Sequence, residues 1–164
     1  MQSANTNTVF IAFGSNKGDS RKIIASAIEQ LENLGNVEKV SPLFITEPEG
    51  FKEQPDFLNG VLLLKTALGP GELLKGLKEL ETKAGRVPTF PDGPRELDLD
   101  IIFYNDAVLE EPALTIPHPR AHERDFVLLP LSFIEPDFMH PVIKQTVWQM
   151  LRNVICNKSG TLSR

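Results

Sequence analysis

The sequence predicts an α+β fold in which helices pack against an antiparallel sheet. Four apolar segments alternate with two segments in which apolar residues recur at helical spacing, in the order strand, helix, strand, strand, helix, strand. Glycine and proline residues separate these segments, as is typical of turns. The chain has 164 residues, of which 41% are hydrophobic and 24% charged, which suits one domain with a full core.

The first strand is predicted at residues 8–13, an apolar run that ends before Gly14. A helix follows, and either Asp19 or Ser20 can cap its N-terminus. Its apolar residues recur at helical spacing, and Gly35 ends it. This stripe is expected to face the core: Ile23, Ile24, Ala27, Ile28, Leu31 and Leu34.

The second strand is predicted at residues 37–46. Pro42 lies within it and cannot donate a hydrogen bond to a neighbouring strand, which favours an edge position or a bulge. A polar loop leads to the third strand at residues 57–66. The second helix begins at Pro70, where the first turn tolerates proline, and ends at Gly85.

Asn59 is a polar residue inside the third apolar strand, so its amide must find partners. An amide offers both donors and an acceptor, which suits the edge of a heterocycle. A structural role, in which Asn59 holds the adjacent loop, is the alternative.

The fourth strand, which ends at Tyr104, carries acidic residues at alternate positions. Side chains two apart in a strand share a face. One face is therefore apolar and the other acidic: Leu97, Leu99 and Ile101 against Glu96, Asp98 and Asp100. The last two carboxylates can converge on one Mg²⁺ ion, or on two ions roughly 3.5–4 Å apart. An acidic face that only meets water is the alternative.

Beyond this strand, residues 107–109 and 114–116 predict either a hairpin or a short strand with an irregular return, and a helix is predicted at 125–134. Thr146 can cap a last helix. The order βαββαβ is that of a ferredoxin-like core, an antiparallel sheet flanked by helices, with a C-terminal helical extension. Residues 1–164 are expected to form one domain, with frayed ends at 1–7 and 157–164.

The composition argues against several classes of protein. A net charge of −5 argues against a general nucleic-acid binder. Cys156 is the only cysteine, so the chain has no internal disulfide and no cysteine-rich zinc site, and a reduced, cytoplasmic setting is the default. The start of the sequence lacks the apolar region of a signal peptide, and no apolar run approaches the ~20 residues of a membrane span.

The cations are unevenly distributed. No lysine lies between Lys83 and Lys144, yet this interval holds four of the seven arginines, namely Arg86, Arg95, Arg120 and Arg124. Guanidinium groups bind phosphate oxygens in a bidentate way that lysine cannot match, so the bias supports a phosphate site. The loop at residues 86–95 has an arginine at each end and no regular period, which makes it a candidate lid.

Seven motifs occur in order along the chain: Gly14-Ser15-Asn16, Thr46-x-Pro48-x-Gly50, Gln54-Pro55-Asp56-Phe57-Leu58-Asn59, Gly85-Arg86, Gly93-Pro94-Arg95-x-Leu97-Asp98-Leu99-Asp100-Ile101, Pro117-His118-Pro119-Arg120 and Arg124-x-Phe126. Together they resemble the 6-hydroxymethyl-7,8-dihydropterin pyrophosphokinase family of folate biosynthesis. The resemblance runs from about residue 9 to about residue 148.

The resemblance implies that the hydroxymethyl oxygen of the pterin attacks the β-phosphorus of ATP and that AMP leaves. It implies that Asp98 and Asp100 bind two Mg²⁺ ions and that Arg86 and Arg95 act on the phosphates from a mobile loop. The pterin pocket would be formed by Thr46, Phe57, Asn59 and Phe126, with the two aromatic rings on either side of the pterin.

The resemblance also implies a set of nucleotide contacts. His118, Arg124 and Thr115 would contact the nucleotide, Ile101 and Leu114 would line the adenine pocket, and Glu81 matches an acidic position of the family. Lys78 stands where the family usually has a glutamine. The expected partners are ATP and the reduced hydroxymethylpterin, with no nucleic acid and no membrane, and the expected state is a monomer.

Two other functions are compatible with the residues. One is a non-catalytic ferredoxin-like binding module, which would need neither the aligned carboxylates nor the flanking arginines. The other is a metal-dependent nucleotidyltransferase, which would use the same acidic pair but release pyrophosphate instead of AMP.

Overall fold

The computed structural model describes residues 6–160 of the chain. The elements in chain order are β1 (Asn7–Ser15), α1 (Ser20–Leu31), β2 (Asn36–Val40), β3 (Phe44–Thr46), β4 (Phe57–Thr66), α2 (Pro70–Lys83), β5 (Asp98–Tyr104), β6 (Leu109–Glu111), β7 (Leu114–Ile116), α3 (Asp125–Ile134) and α4 (Val147–Gly160). A short 3₁₀ turn, Ala121–Glu123, precedes α3.

The main sheet has the strand order β2-β4-β1-β5, and every neighbouring pair in it is antiparallel. This is the order expected of a ferredoxin-like core, which consists here of the two βαβ units β1-α1-β2 and β4-α2-β5. The predicted fold class is therefore confirmed. The hairpin is present as β6 and β7, but its first strand is Leu109–Glu111, two residues further along the chain than the predicted 107–109.

The single second strand predicted at residues 37–46 is wrong. It is two strands, β2 and β3, which both pair with β4 and are separated at residues 41–43. Pro42 explains the break, because it lacks the N–H that a continuous ladder needs. Ser41 keeps the segment in place, since its hydroxyl accepts a hydrogen bond from the Val61 N–H at 2.9 Å.

The sheet is buried on both faces in the described part of the chain. Helices α1 and α2 cover one face, which we call the first core, and α3 and α4 cover the other, the second core. Neighbouring residues of β4 therefore belong to different cores, with Leu62 in the first and Leu63 in the second. The predicted C-terminal extension thus buries the sheet face that the βαββαβ unit leaves open.

The helix ends are capped largely as the sequence predicts. Asp19 accepts a hydrogen bond from the Lys22 N–H at 3.3 Å at the start of α1. At the start of α4, Thr146 Oγ1 accepts from the Gln149 N–H at 3.1 Å, and Gln149 Oε1 accepts from the Thr146 N–H at 2.8 Å. This reciprocal pair satisfies two N–H groups that the helix itself leaves free.

The expectation of frayed ends differs from the structure where the two can be compared. Asn7 belongs to β1, and residues 157–160 continue α4. Residues 1–5 and 161–164 lie outside the described residues. Within residues 6–160, no helix combines the length and the apolar character that crossing a membrane would require.

Candidate functional site

A row of residues crosses the sheet at the open end of the second core. Gly14 of β1 pairs with Asn59 of β4 on one side and with Asp98 of β5 on the other. A Cβ atom at Gly14 would overlap the side-chain oxygen of Asn59. Glycine at this position therefore leaves the sheet surface free of a side chain between the amide of Asn59 and the carboxylate of Asp98.

Asp98 and Asp100 share the face of β5 that the sequence predicts, and both line a cavity at this end of the sheet. Leu99, between them, is buried in the first core. This alternation confirms the acidic face of the strand, and the cavity distinguishes it from an acidic face that only meets water.

Both arginines of the loop at residues 86–95 contact Asp98. Arg86 Nη1 donates to Asp98 Oδ1 at 3.0 Å, and Arg95 Nε lies 3.3 Å from Asp98 Oδ2. The second contact is an ion pair without hydrogen-bond geometry. Arg95 Nε is therefore a buried atom that lacks a hydrogen-bond partner among the described residues. The two arginines therefore neutralise one carboxylate of the acidic pair.

Among the described residues, no arginine forms an ion pair with Asp100. Burial, together with the negative charges of Asp98 and Glu81, raises its pKa from 3.8 to about 7. A cation bound beside Asp100 would reverse this effect, because it would favour the ionised carboxylate.

The donor set fits magnesium. Residues 6–160 contain no group of three or more histidine, cysteine, aspartate or glutamate side chains placed to hold a metal ion. Two carboxylates at the wall of a cavity are instead what Mg²⁺ uses when it keeps several waters and takes further oxygens from a phosphate chain. Asp98 and Asp100 are the residues that could hold it.

Glu81 connects α2 to the acidic strand. Its side chain is only 4% exposed, and Oε2 accepts from the Leu99 N–H at 2.9 Å and from Arg86 Nη1 at 2.7 Å. Lys78 Nζ lies 3.3 Å from Oε1. Because β5 is an edge strand of the sheet, Glu81 supplies the acceptor that a further strand would give to Leu99. Lys78 thus contacts Glu81, Glu81 contacts Arg86, and Arg86 contacts Asp98 of the acidic pair.

The four residues expected to bind a pterin lie near one another. Asn59 Nδ2 donates a hydrogen bond to Thr46 Oγ1. Phe57 and Phe126 each face a guanidinium group, with Arg95 Cζ 4.7 Å from the Phe57 ring centre and Arg124 Cζ 5.4 Å from the Phe126 ring centre. These planar cations occupy the aromatic faces on which a flat ring would stack.

The cavity that these residues line is small, and Arg95 and Arg124 are part of its wall. Its volume is about 80 Å³, well below the ~300 Å³ at which ligand pockets begin. A second cavity of about 580 Å³ lies beside it, between the β3–β4 loop and the start of α3. Three residues line both cavities, namely Glu49, Arg124 and Phe126. Movement of these side chains would join the two spaces.

His118 lines the smaller cavity in its neutral form. Burial, together with the positive charge of Arg124, lowers its pKa to about 4. Its Nδ1 accepts from the Arg120 N–H at 3.2 Å, so the hydrogen resides on Nε2. His118 can therefore donate one hydrogen bond to a ligand without adding a charge.

Asn16 fastens three segments around the site. It is 6% exposed, and its Nδ2 donates to Gln54 Oε1 at 2.8 Å and to the Pro55 carbonyl at 2.9 Å. Its Oδ1 accepts from the Arg95 N–H at 2.8 Å, and its own N–H donates to the Arg95 carbonyl at 3.0 Å. This explains why an asparagine follows β1 and a glutamine precedes β4.

The loops at residues 47–56 and 86–95 also contact each other directly. The rings of Phe51 and Phe90 meet edge-to-face with centres 5.0 Å apart. Gln54 Nε2 donates to the Asp92 carbonyl at 2.6 Å. Phe51 and Phe90 are nevertheless both exposed, so this contact can separate at little cost.

The structure thus brings together part of the predicted set. Seven of the predicted residues line the smaller cavity, namely Asn59, Arg95, Asp98, Asp100, His118, Arg124 and Phe126. Seven others lie outside its lining, namely Thr46, Phe57, Lys78, Glu81, Arg86, Leu114 and Thr115. Ile101 packs into the first core, on the opposite face of the sheet from Asp100. Sequence reasoning assigned no role to Asn16, Glu49 and Asp92, although the first two lie within the motifs.

The chain is similar to known proteins over most of its length. The family model for 7,8-dihydro-6-hydroxymethylpterin-pyrophosphokinase matches residues 10–136. The 2-amino-4-hydroxy-6-hydroxymethyldihydropteridine pyrophosphokinase of Aquifex aeolicus is 44% identical over 138 residues, which are 84% of this chain and 86% of that protein.

Similar segments also occur in longer proteins. The folic acid synthesis proteins of Dictyostelium discoideum and Schizosaccharomyces pombe are 42% and 41% identical over 92% of this chain, but the chain spans only 23% and 21% of their lengths. The crystal structure of wild-type Plasmodium falciparum HPPK-DHPS matches 98% of this chain and 47% of that chain with a TM-score of 0.75. At 16% identity, this likeness shows the fold alone.

Proposed function

The chain belongs to the 7,8-dihydro-6-hydroxymethylpterin-pyrophosphokinase family, and from this premise we propose that it transfers pyrophosphate from ATP to the hydroxymethyl group of 6-hydroxymethyl-7,8-dihydropterin in folate biosynthesis. The pterin oxygen would attack the β-phosphorus, and the bond to the α-phosphate would break to release AMP. One observation carries the proposal: Asp98 and Asp100 share a cavity wall to which Arg86 and Arg95 both reach.

We propose that Asp98 and Asp100 hold two Mg²⁺ ions with the triphosphate. Bound there, the ions would neutralise phosphate charge and favour ionisation of the attacking hydroxyl. Arg86 and Arg95 now rest on Asp98, and a metal ion on that carboxylate would compete with them. Their guanidinium groups would then turn to the phosphate oxygens, where charge develops as the bond to AMP breaks.

We propose that Thr46, Phe57, Asn59 and Phe126 bind the pterin. The amide of Asn59 lies at the cavity wall and already has Thr46 as a partner. An amide fixed in this way can match the donors and acceptors of a pterin edge and reject a ring without them. The rings of Phe57 and Phe126 can stack on the pterin once Arg95 and Arg124 withdraw from them.

For the nucleotide, the proposal assigns contacts to His118, Arg124, Thr115, Ile101, Leu114, Lys78 and Glu81. Support is strongest for Arg124 and His118, which line the cavity as a cation and a neutral donor. For Glu81 the contacts favour an indirect role, because both of its oxygens already have partners in the protein.

We further infer that residues 1–164 act as a single pyrophosphokinase domain, as a monomer in the cytoplasm. The shared sheet between the two cores supports one domain. A single cysteine supports a reducing compartment.

The reaction can be tested by incubating the purified chain with ATP, Mg²⁺ and the reduced hydroxymethylpterin. We expect AMP and a pterin pyrophosphate ester in equal amounts by chromatography. Pyrophosphate release instead of AMP would identify a nucleotidyltransferase, and the absence of any turnover would favour a binding module.

The metal role can be tested in the same assay with Asp98→Ala. We expect kcat to fall by about 10³-fold or more, because loss of a metal ligand removes several kcal/mol of transition-state stabilisation. The matched control is Asp106→Ala, which removes an exposed acid just after β5 and should leave kcat unchanged. Full activity of Asp98→Ala, with a native circular dichroism spectrum, would reject the metal role.

A further inference from the structure

Glu49 is a carboxylate at the cavity that the proposed chemistry does not use. It lies in the loop between β3 and β4, and its Oε1 accepts a hydrogen bond from Arg124 Nη2 at 3.0 Å. The same oxygen lies 2.9 Å from Arg120 Nη1. One carboxylate oxygen therefore engages two arginines that come from the segment before α3.

Arg124 is the more enclosed of these two arginines. Its side chain is 20% exposed, against 53% for Arg120. Its Nε is a buried atom without a hydrogen-bond partner among residues 6–160. The guanidinium group of Arg124 thus meets Glu49 with one nitrogen and has unused donor capacity beside the cavity.

We propose that Glu49 is a positioning residue that competes with nucleotide phosphate for Arg124. The inference rests on the proposed function, which places Arg124 at the nucleotide. Carboxylate and phosphate oxygens accept from the same guanidinium N–H groups in the same geometry. A phosphate that binds Arg124 in a bidentate way through Nη2 uses the nitrogen that now donates to Glu49, so binding in that geometry weakens or displaces the contact to Glu49.

The position of the ion pair supports this competition. Glu49 and Arg124 line both the small cavity and the larger one beside it. The ion pair therefore forms part of the wall between the two spaces. A nucleotide that draws Arg124 to its phosphates would release Glu49 and open this wall, which provides volume that the small cavity lacks.

The competition can be tested with Glu49→Gln, which keeps the shape of the side chain and removes its charge. The probe is a non-hydrolysable ATP analogue with Mg²⁺, titrated calorimetrically into the full chain. We expect the Kd of the analogue to fall by about two- to fivefold at low salt. This is the change in affinity that corresponds to the free energy of one partly exposed ion pair. The gain should shrink at high ionic strength, where such pairs are screened.

Glu123→Gln is the matched control. Glu123 accepts a hydrogen bond from Arg120 Nε at 2.8 Å and contacts Arg120 but not Arg124. The substitution therefore removes the same charge from the same surface without touching the Glu49–Arg124 ion pair. We expect this variant to leave the Kd unchanged. An equal gain in both variants would indicate a general charge effect and overturn the assignment of Glu49.

The outcomes separate this inference from the proposed function. If the wild-type chain binds the analogue and Glu49→Gln binds it equally or more weakly, the competition is refuted while the nucleotide site stands. If the wild-type chain does not bind the analogue with Mg²⁺, both proposals fail. A gain in affinity is also a result that mere loss of a structural contact would not produce.

Discussion

Asp100 is a carboxylic acid whose surroundings oppose its charge. Its pKa is raised from 3.8 to about 7 by burial, by Asp98 and by Glu81. The folded chain therefore retains a proton that the unfolded chain releases. Below about pH 4 this difference has no effect on stability. Between about pH 4 and pH 7 it increasingly destabilises the fold, and above pH 7 the cost is complete.

Replacing Asp100 by Asn should therefore stabilise the metal-free protein in a pH-dependent way. At pH 8 with a chelator present, we expect Asp100→Asn to raise the midpoint of thermal unfolding by roughly 3–8 °C, since 1 kcal/mol corresponds to ~2–4 °C for a chain of this size. At pH 4 the difference should vanish, because the wild-type carboxyl group is then protonated. Calorimetry at the two values of pH measures this.

Asp98→Asn provides the matched control. Asp98 accepts from Arg86 and is paired with Arg95, so its loss should lower the midpoint at pH 8 and not raise it. If both variants stabilised the chain equally, simple relief of negative charge would explain the result. A difference in midpoint between Asp100→Asn and the wild-type chain that is the same at pH 4 and pH 8 would contradict the raised pKa.

Strands β1, β4 and β5 together position the candidate site. The row of Asp98, Gly14 and Asn59 crosses three strands whose sequence positions are far apart, and only antiparallel register aligns them. The position of the Asn59 amide depends on the absence of a side chain at Gly14, because a Cβ atom there would overlap this amide.

Gly14→Ala should therefore displace the Asn59 amide from Thr46 and weaken binding of the pterin. We expect the pterin Kd to rise about 10–100-fold, equivalent to one or two lost hydrogen bonds, with little loss of stability because an amide end can rotate away. Isothermal titration with the reduced hydroxymethylpterin measures this. Gly71→Ala is the control, since a Cβ atom there meets nothing within 4 Å. Unchanged pterin affinity in Gly14→Ala would contradict the role of the row.

On the scale of the whole molecule, both cores are built on one sheet. Leu62 faces the first core and Leu63 the second, although they are neighbours in β4. Disruption of either core must therefore disturb the backbone that supports the other. This arrangement should make unfolding of the chain a single cooperative transition.

Leu62→Ala and Leu63→Ala test this cooperativity. Each should lower the midpoint of one shared calorimetric transition by roughly 5–15 °C, because truncation of a buried leucine costs about 2–5 kcal/mol. The calorimetric and van't Hoff enthalpies should agree in both variants. Two transitions, of which each variant shifts only one, would show that the cores unfold separately and would contradict a single domain.

The sequence by itself determined the elements that depend on neighbouring residues. The bounds of β4 and α3 agree with the predicted 57–66 and 125–134, because periodicity and flanking breakers are local signals. The shared face of Asp98 and Asp100 follows from alternation alone. The prediction of one strand at 37–46 was wrong, because Pro42 interrupts the pairing and divides the segment into two short strands. Both of these strands pair with β4.

The tertiary structure alone decided which charges meet. Glu49 and Arg124 are 75 residues apart, and Asn16 and Arg95 are 79 apart, so no local pattern could pair them. The same holds for the guanidinium group of Arg95, which covers the ring of Phe57. Local periodicity fixes which way a side chain faces, but its partner depends on strand register and loop packing, which arise only when the whole chain folds.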